Sequence, residues 1–293
     1  ITFDKNELKP LPKYMAKVWR VVHENHYDVI IDMRSTVNTL MFSAFSLSTP
    51  FRIGVKKGYT RFVLTDEIDN GSRSLDLDMV KRNLMLCAPL VRLKEISAVE
   101  DFTISITDKE RGDFRKYMES EGIDFSRPVI LVGVTTKILS KRWNTSFMVE
   151  TLRRILEHHP DFQLIFNYVP GIEEADARKM FEELGAPSCV KINIQARSLR
   201  ELAALCANCN FYYGNEGGAR HLAQALGVPS FAIFSPIASP RVWLPQNETP
   251  AHGISVDDVI PLHEQAAMTN EERFEQITPD EVMTRLDPLL DRL

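Results

Sequence analysis

The stretch "FYYGNEGGARHLAQALGVPSFAIFSP", residues Phe211 to Pro236, decides the reading of this 293-residue chain. An apolar strand, Phe211–Tyr213, runs into a charged, glycine-rich corner. A helix over Ala219–Leu226 follows, Gly227 stops it, and "SFAIF" begins a second apolar strand. Gly214, Gly217 and Gly218 permit positive φ and leave backbone N–H groups uncovered. Those groups stand at the positive end of a helix, which suits an anion such as a diphosphate. His221, on the first turn, is close enough to donate to the same anion. Glu216 would repel a phosphate, so its better role is to accept hydrogen bonds from the hydroxyls of a sugar. The plainer alternative is a tight turn in which Glu216 only balances the helix dipole.

Upstream the pattern is regular. "VILVGV" reads as a strand, and "NTSFMVETLRRILEHHP" as a helix with Phe147, Leu152, Ile155 and Leu156 apolar. "FQLIFNYV" is a strand, "IEEADARKMFEELG" a helix ending at Gly185, and "CVKINI" a short strand. "SLRELAALCANC" is a helix capped by Ser198, with Glu201 completing a capping box. After the corner, "HGISV" adds a last strand. Alternating strands and helices joined by short links predict a doubly wound parallel sheet. Right-handed crossovers place the strand C-terminal ends along one edge, where ligands bind.

The loop "VGVTTKILSKRW", Val132 to Trp143, leaves the first strand of that sheet on the same edge. Thr135 and Thr136 supply hydroxyls; Lys137, Lys141 and Arg142 supply cations suited to a diphosphate. Its alternative is a solvated basic loop. "FSPIASPRVWLP", Phe234 to Pro245, reads as a rigid wall of the same cleft or as packing.

In the first part of the chain "YDVIIDMRS" suits a buried parallel strand, "STVNTLMFSAFSLS" a helix, and "FRIGVKK" a further strand. "LDLDMVKRNLMLCAPL" predicts a helix ending near Pro89, its leading Asp76 and Asp78 complementing the helix dipole rather than binding a metal. The charged "TDKERGDFRKYMESEGIDFSRP" reads as a surface helix and an interdomain connection. The domains so drawn are residues 1–127, 128–275 and a C-terminal helix over 276–293 that packs back across the junction. The opening "ITFDKNELKP" reads as a short strand and a turn, as though the chain began in mid-domain.

A hydrophobic content of 44%, 26% charged residues and a net charge of −5 describe an ordinary globular protein with no general pull toward nucleic acid. No apolar run reaches the roughly 20 residues that span a bilayer. Four cysteines imply no disulfide framework, so a reducing cytoplasm is the default. Cys206 and Cys209 form a C-x-x-C with no second pair to complete a zinc site, and are expected as half-buried thiols near a helix end.

These residues resemble glycosyltransferase family 9, the lipopolysaccharide heptosyltransferases and their relatives. "GNEGGARHLAQALGVP" with "FSPIASP" is similar to the family's donor pattern G-N-D-[ST]-G-P-x-H, followed by F-G-P-x-x-P. The threonine pair, lysine and tryptophan of "TTKILSKRW" look like its basic loop. "SLRELAALCANCNFYYGN" and "YDVIIDMRSTVNTLMFSAFSLSTPFRIGV" are similar to further family segments, so the likeness covers nearly the whole chain. It implies a GT-B fold, two Rossmann-like domains facing a cleft, the N-terminal one lacking its first strand–helix unit in this chain. It also implies inverting, metal-independent transfer of a heptose-like sugar from a nucleotide-diphosphate sugar to a lipopolysaccharide core or related glycan.

By matched position Lys141 would neutralise the diphosphate, Gly217, Gly218 and His221 would hold it, and Glu216 would read the sugar. Glu173 or Glu174 would lie near the donor ribose, and Asp32, Arg34 and Asn38 would meet the acceptor. The implied partners are a donor such as ADP-heptose and a lipid-linked or core-oligosaccharide acceptor. No separate cofactor, metal or nucleic acid is implied, and the site of action is cytoplasmic, with peripheral contact to the inner membrane. Glu216 stands where the pattern has Asp, Gly217 where it has Ser or Thr, and Ser235 where it has Gly. The family's S-x-x-G-D loop, which carries the general base, has no counterpart, so the base is expected upstream. Two other readings share the diphosphate cleft: a GT-B sugar-nucleotide epimerase and a non-catalytic nucleotide-sugar-binding protein.

Overall fold

The computed structural model describes residues 9–71, 77–244 and 250–293. They form two compact units, Ile1–Glu100 and Asp101–Leu293. The strand expected over the first residues falls on 1–8, outside the described residues, as does Asp76.

The first unit holds helix α1 (Leu11–Glu24), strand β1 (Val29–Asp32), helix α2 (Val37–Ala44), and strands β2 (Phe51–Val55) and β3 (Asp66–Ile68). The three strands pair in parallel in the order β1-β2-β3. α1 and β3 escaped the sequence reading. α1 shows its phase only in Tyr14, Val18 and Val22, four residues apart and all buried. β1 is parallel as expected but not sequestered, since Asp32 is buried while Ile31 remains 36% exposed. α2 begins with a capping box between Thr36 and Thr39. The helix expected up to Pro89 is shorter: α3 covers Met79–Leu84, then a 3-10 helix runs through Pro89 to Arg92. Proline removes the donor an α-helix would need there, and the tighter winding takes over. Asp78 caps α3, accepting the Lys81 N–H at 2.9 Å, which is the dipole role expected of it.

The second unit starts near residue 101 rather than 128. The charged segment forms α4 (Asp108–Ser120), which buries Phe114 and Met118 in that unit's core beside α7 (Leu199–Ala207). The helix is therefore a layer of the second unit. β4 (Val129–Gly133), α5 (Thr145–His158), β5 (Gln163–Asn167), α6 (Glu174–Glu183) and β6 (Val190–Lys191) precede α7. β7 (Phe211–Asn215), α8 (Gly218–Ala225), β8 (Ser230–Ile233), α9 (Pro240–Trp243) and β9 (Ala251–Ile254) follow it. The chain closes with α10 (Leu262–Gln265), α11 (Asn270–Glu275) and α12 (Pro279–Leu290).

All six strands are parallel, in the order β6-β5-β4-β7-β8-β9. The inner strands β4, β5, β7 and β8 are buried nearly throughout because both faces are covered. Ile130, Val132, Leu164 and Phe166 meet Leu152, Ile155, Met180 and Leu286 of α5, α6 and α12. Val129, Leu131 and Ile165 meet residues of α4, α7 and α8. α12 thus joins the second unit's own core through Val282, Met283, Leu286 and Leu290. In α7 the Ser198 hydroxyl accepts the Glu201 N–H, but the Glu201 carboxylate takes the Arg197 N–H at 2.6 Å, so the reciprocal box expected there is not made. Cys206 and Cys209 are buried, not half-buried, and burial pushes the Cys206 thiol up to about 12. Among the described residues no helix is long and apolar enough to cross a membrane.

Candidate functional site

The strand order reverses between β4 and β7. After β4 the chain builds β5 and β6 on one side, then returns to add β7, β8 and β9 on the other. The loops leaving β4 and β7 must therefore diverge, and a crevice opens between them. Those two loops are the basic loop and the glycine corner, on the same edge as expected. The strands come unusually close there. Gly133 pairs with Gly214, and a Cβ on Gly214 (φ +137°) would sit 2.5–2.8 Å from the Gly133 backbone. Gly217, at φ 164°, is merely extended, and Gly218 opens α8 in ordinary helical conformation. Of these three glycines, each of which permits positive φ, only Gly214 adopts it. A Cβ on Gly217 or Gly218 would meet nothing within 4 Å, so both backbones border open space.

Asn215 ties the two loops together. Its amide donates to the carbonyls of Gly133 (3.0 Å) and Val134 (3.1 Å), and its Oδ1 accepts the Trp143 N–H at 2.8 Å. Trp143, 1% exposed, is held from the other side by its indole N–H donating to the Ile277 carbonyl at 2.8 Å. With Asn215 and Trp143 fixed, Lys141 is delivered to the corner. Its Nζ lies 3.1 Å from Glu216 Oε1, and the same oxygen accepts the Ser235 hydroxyl at 2.9 Å. Glu216 is 6% exposed and Ser235 fully buried. Ser235, which stands where the family pattern has glycine, thus supplies a partner for the longer Glu216.

A cleft of about 600 Å³ runs along the edge, lined by Thr135, Thr136, Lys137, Glu173, Glu216, Gly217 and Gly218, among others. Tyr168, Val169, Pro170, Ala196 and Leu202 add apolar surface to its lining, beside the polar Asn167, Gln195, Arg197 and Ser198. Glu173 is buried and already engaged: its Oε2 accepts from the Thr135 hydroxyl at 2.7 Å and from the Val169 N–H at 3.0 Å. It shapes the loop. Glu174 turns outward onto Arg178 at 2.7 Å, and that hydrogen bond lowers its carboxyl pKa. Arg142 also departs from its expected place, bonding Asp176 of α6 at 2.6 Å. Of the three cations of the basic loop, Lys137 borders the cleft and Lys141 meets Glu216.

His221 sits on the first turn of α8, half-buried beside Trp243 and Phe102. Burial, then the charges of Arg220 and Lys141, hold its imidazole down to about 4, so it is neutral at physiological pH. Arg220 is completely buried, with Nη2 2.5 Å from His221 Nδ1 and 2.9 Å from the Trp243 carbonyl.

In the first unit the three expected acceptor residues share the end of β1 and the start of α2. Asp32 Oδ1 accepts the N–H groups of Arg34 (3.1 Å) and Ser35 (2.7 Å), while its buried Oδ2 has no partner among the described residues. Ser35 is held at φ +45° by this turn and by the Val55 N–H donating to its hydroxyl at 2.8 Å. Asn38 offers its backbone carbonyl to the Tyr14 hydroxyl at 2.9 Å. Asn215 and Arg220 escaped the sequence reading. Asn215 was quoted there only as part of a motif, yet a polar residue at the end of an apolar strand was a usable signal.

The chain matches glycosyltransferase family 9 (heptosyltransferase) over residues 15–269. It is 23% identical to lipopolysaccharide heptosyltransferase 1 of Campylobacter coli over 225 residues, 74% of this chain, and spans 64% of that relative's length. Two solved structures, each 16% identical, share its fold. A family 9 glycosyl transferase from Veillonella parvula has a TM-score of 0.76, with all of this chain and 82% of that one covered. The E. coli ADP-heptose lipopolysaccharide heptosyltransferase II has 0.71, with 96% and 82% covered. These likenesses give the two-unit α/β fold as GT-B. On the match across residues 15–269, the chain belongs to glycosyltransferase family 9.

Proposed function

We propose that the chain is an inverting, metal-independent glycosyltransferase that moves a heptose-like sugar from ADP-heptose to a lipopolysaccharide core or related glycan acceptor. The observation that carries this reading is the convergence of Lys141, Glu216 and the N-terminus of α8 at the switch point of the second sheet. In such a transfer the acceptor hydroxyl attacks the anomeric carbon, and the bond to the diphosphate breaks with its electron pair left on a phosphate oxygen. Lys141, the N–H groups at Gly217 and Gly218, and the neutral His221 ring would meet that charge. Glu216, aligned by Ser235, would accept from sugar hydroxyls. The acceptor's proton goes to a base that Glu216, committed to Lys141 and Ser235, does not supply. Asp32, Arg34 and Asn38 would position the acceptor, and a lipid-linked acceptor would bring the enzyme to the cytoplasmic face of the inner membrane.

An epimerase needs carboxylates free to move protons on the sugar. The two that line this cleft, Glu173 and Glu216, are both engaged, which favours transfer. The test is a thermal-shift screen of ADP, GDP, UDP and dTDP, followed by mass spectrometry of a heptose-deficient core acceptor incubated with ADP-heptose. Stabilisation by ADP and a mass gain of one heptose are expected. Failure of every nucleoside diphosphate to bind would sink the reading.

A further inference from the structure

From Met33 to Thr65 the chain carries no Asp or Glu, although its net charge is −5. The same run holds Arg34, Arg52, Lys56, Lys57 and Arg61, the last three on the crossover between β2 and β3. Arg52 and Lys57 are tied to carbonyls: Arg52 Nε donates to Val63 at 2.8 Å and Lys57 Nζ to Arg34 at 2.7 Å. Lys56 and Arg61 are exposed, and neither pairs with a carboxylate among the described residues. The flanking acids are engaged elsewhere. Asp32 is buried in its own turn, Asp66 pairs with Arg92, Glu67 accepts the Thr60 hydroxyl, and Asp69 accepts the Gly71 N–H. On the same crossover Phe62 is 81% exposed and Tyr59 47%, and the Arg61 guanidinium lies 4.8 Å from the Phe62 ring centroid. One exposed apolar side chain is ordinary. An aromatic pair among unpaired cations is the composition of a contact with a charged lipid surface.

We propose that the β2–β3 crossover, residues 56–65, docks the first unit on an anionic phospholipid bilayer. Lys56 and Arg61 meet the lipid phosphates, and the Phe62 ring enters the headgroup boundary. The crossover is set in place beforehand. Buried Thr60 accepts the Lys57 N–H at 2.9 Å, and the Tyr59 hydroxyl donates to the Ser35 carbonyl at 2.8 Å. Little ordering is then left to offset on binding. Two exposed cations are too few to hold a nucleic acid, which needs a row of phosphate contacts. A bilayer instead supplies many phosphates to few cations and an apolar layer beneath them. The carbonyls that the crossover grips, of Arg34 and Ser35, belong to the turn proposed to meet the acceptor. Bilayer and membrane-borne acceptor would thus reach the unit at neighbouring loops. The purpose of such docking rests on the lipid-linked acceptor proposed above; bilayer binding itself does not.

The test is co-sedimentation of the full chain with vesicles of phosphatidylethanolamine and phosphatidylglycerol, and with neutral phosphatidylcholine vesicles. Wild type should partition onto the anionic vesicles in preference to the neutral ones, and leave them as salt rises. Equal partition onto both, or onto neither, would overturn the proposal. A cation near such a surface is worth about fivefold in partition, so Lys56→Gln with Arg61→Gln should bind roughly 25-fold more weakly. Phe62→Ser should also weaken binding but keep the salt dependence of wild type, as for a lost apolar contact. All three side chains are exposed, and unchanged urea midpoints would show the fold intact. A folded double variant within about twofold of wild type refutes the crossover as the contact. If the double variant fails to fold, Phe62→Ser decides by the same criterion. A lipid-free core acceptor separates docking from the proposed transfer: on it the variants should act as wild type does. A raised KM there with vesicle binding unchanged would make the crossover an acceptor site and overturn docking. If wild type transfers nothing, the proposed function fails and the vesicles still judge the crossover.

Discussion

Replacing Lys141 with Ala should do more than delete one contact. Lys141 Nζ is 3.1 Å from a carboxylate that is 6% exposed, so on the proposed function the lysine would serve two anions: Glu216 in the free protein and the diphosphate in the complex. Loss of a hydrogen bond to a charged group costs about 1.5–3 kcal/mol. The variant also leaves Glu216 with Ser235 alone, negative and enclosed beside the arriving phosphates, which places the loss at the upper end. About 3 kcal/mol corresponds to roughly 150-fold in Kd. Glu216→Gln removes the competing anion, so ADP should bind it within about threefold of wild type while turnover with the sugar nucleotide falls. In the double variant part of the Lys141→Ala loss should return, a coupling of about 1 kcal/mol. Calorimetric titration of ADP at fixed ionic strength measures all four corners of the cycle. A Lys141→Ala loss below threefold would assign the lysine to a solvated loop. Strict additivity would show that Lys141 and Glu216 do not share the site.

Asn215→Ala breaks three hydrogen bonds and strands the buried Trp143 N–H, so chemical denaturation should show a loss of roughly 3 kcal/mol; a change under 1 kcal/mol would deny the clamp. Transfer activity should survive excess EDTA, with Lys141 and the α8 terminus meeting the leaving charge; strict dependence on a divalent ion would count against that arrangement. Cys206, its thiol pushed up to about 12 by burial, should resist alkylation in the native protein and react only on unfolding, as mass spectrometry would show. Because the folded His221 sits near 4 rather than 6.5, the unfolded chain binds the extra proton between those values. Native stability should therefore fall as pH drops from 6.5 to 4, and His221→Gln should lose less over that window, by urea midpoints.

The second unit was legible because its strands carry apolar residues on both faces and its helices are amphipathic with polar caps. Two periods, strand and helix, alternate there from α4 to β9, and right-handed crossovers then put the strand ends on one edge. The first unit was less legible. β3 is the three residues Asp66–Ile68, too short and too polar to show a period. β1 looked buried because "VII" is apolar, yet Ile31 stays exposed and Val29 and Ile30 are only partly buried. The boundary was misplaced because α4 is charged nearly throughout. Phe114 and Met118, four residues apart, anchor it, and charge content hides so narrow an apolar stripe.

At the site, sequence located the loops but not the direction of each side chain. Arg142 and Arg220 make the contrast. Both are arginines inside the quoted motifs, and only Arg142 was assigned to the diphosphate. Arg142 leaves a loop whose course is set by Asn215 and Trp143, and no local pattern could say that it turns to Asp176 on α6. Arg220 lies on a helix, where direction follows from phase. Ala219, Ala223 and Gln224 are buried, and Arg220 falls on the arc between Ala223 and Gln224, so it must point inward with them. The helix whose N–H groups would face an anion at the corner therefore also carries a buried cation, and the His221 ring, next along the chain, packs against that cation and the indole of Trp243.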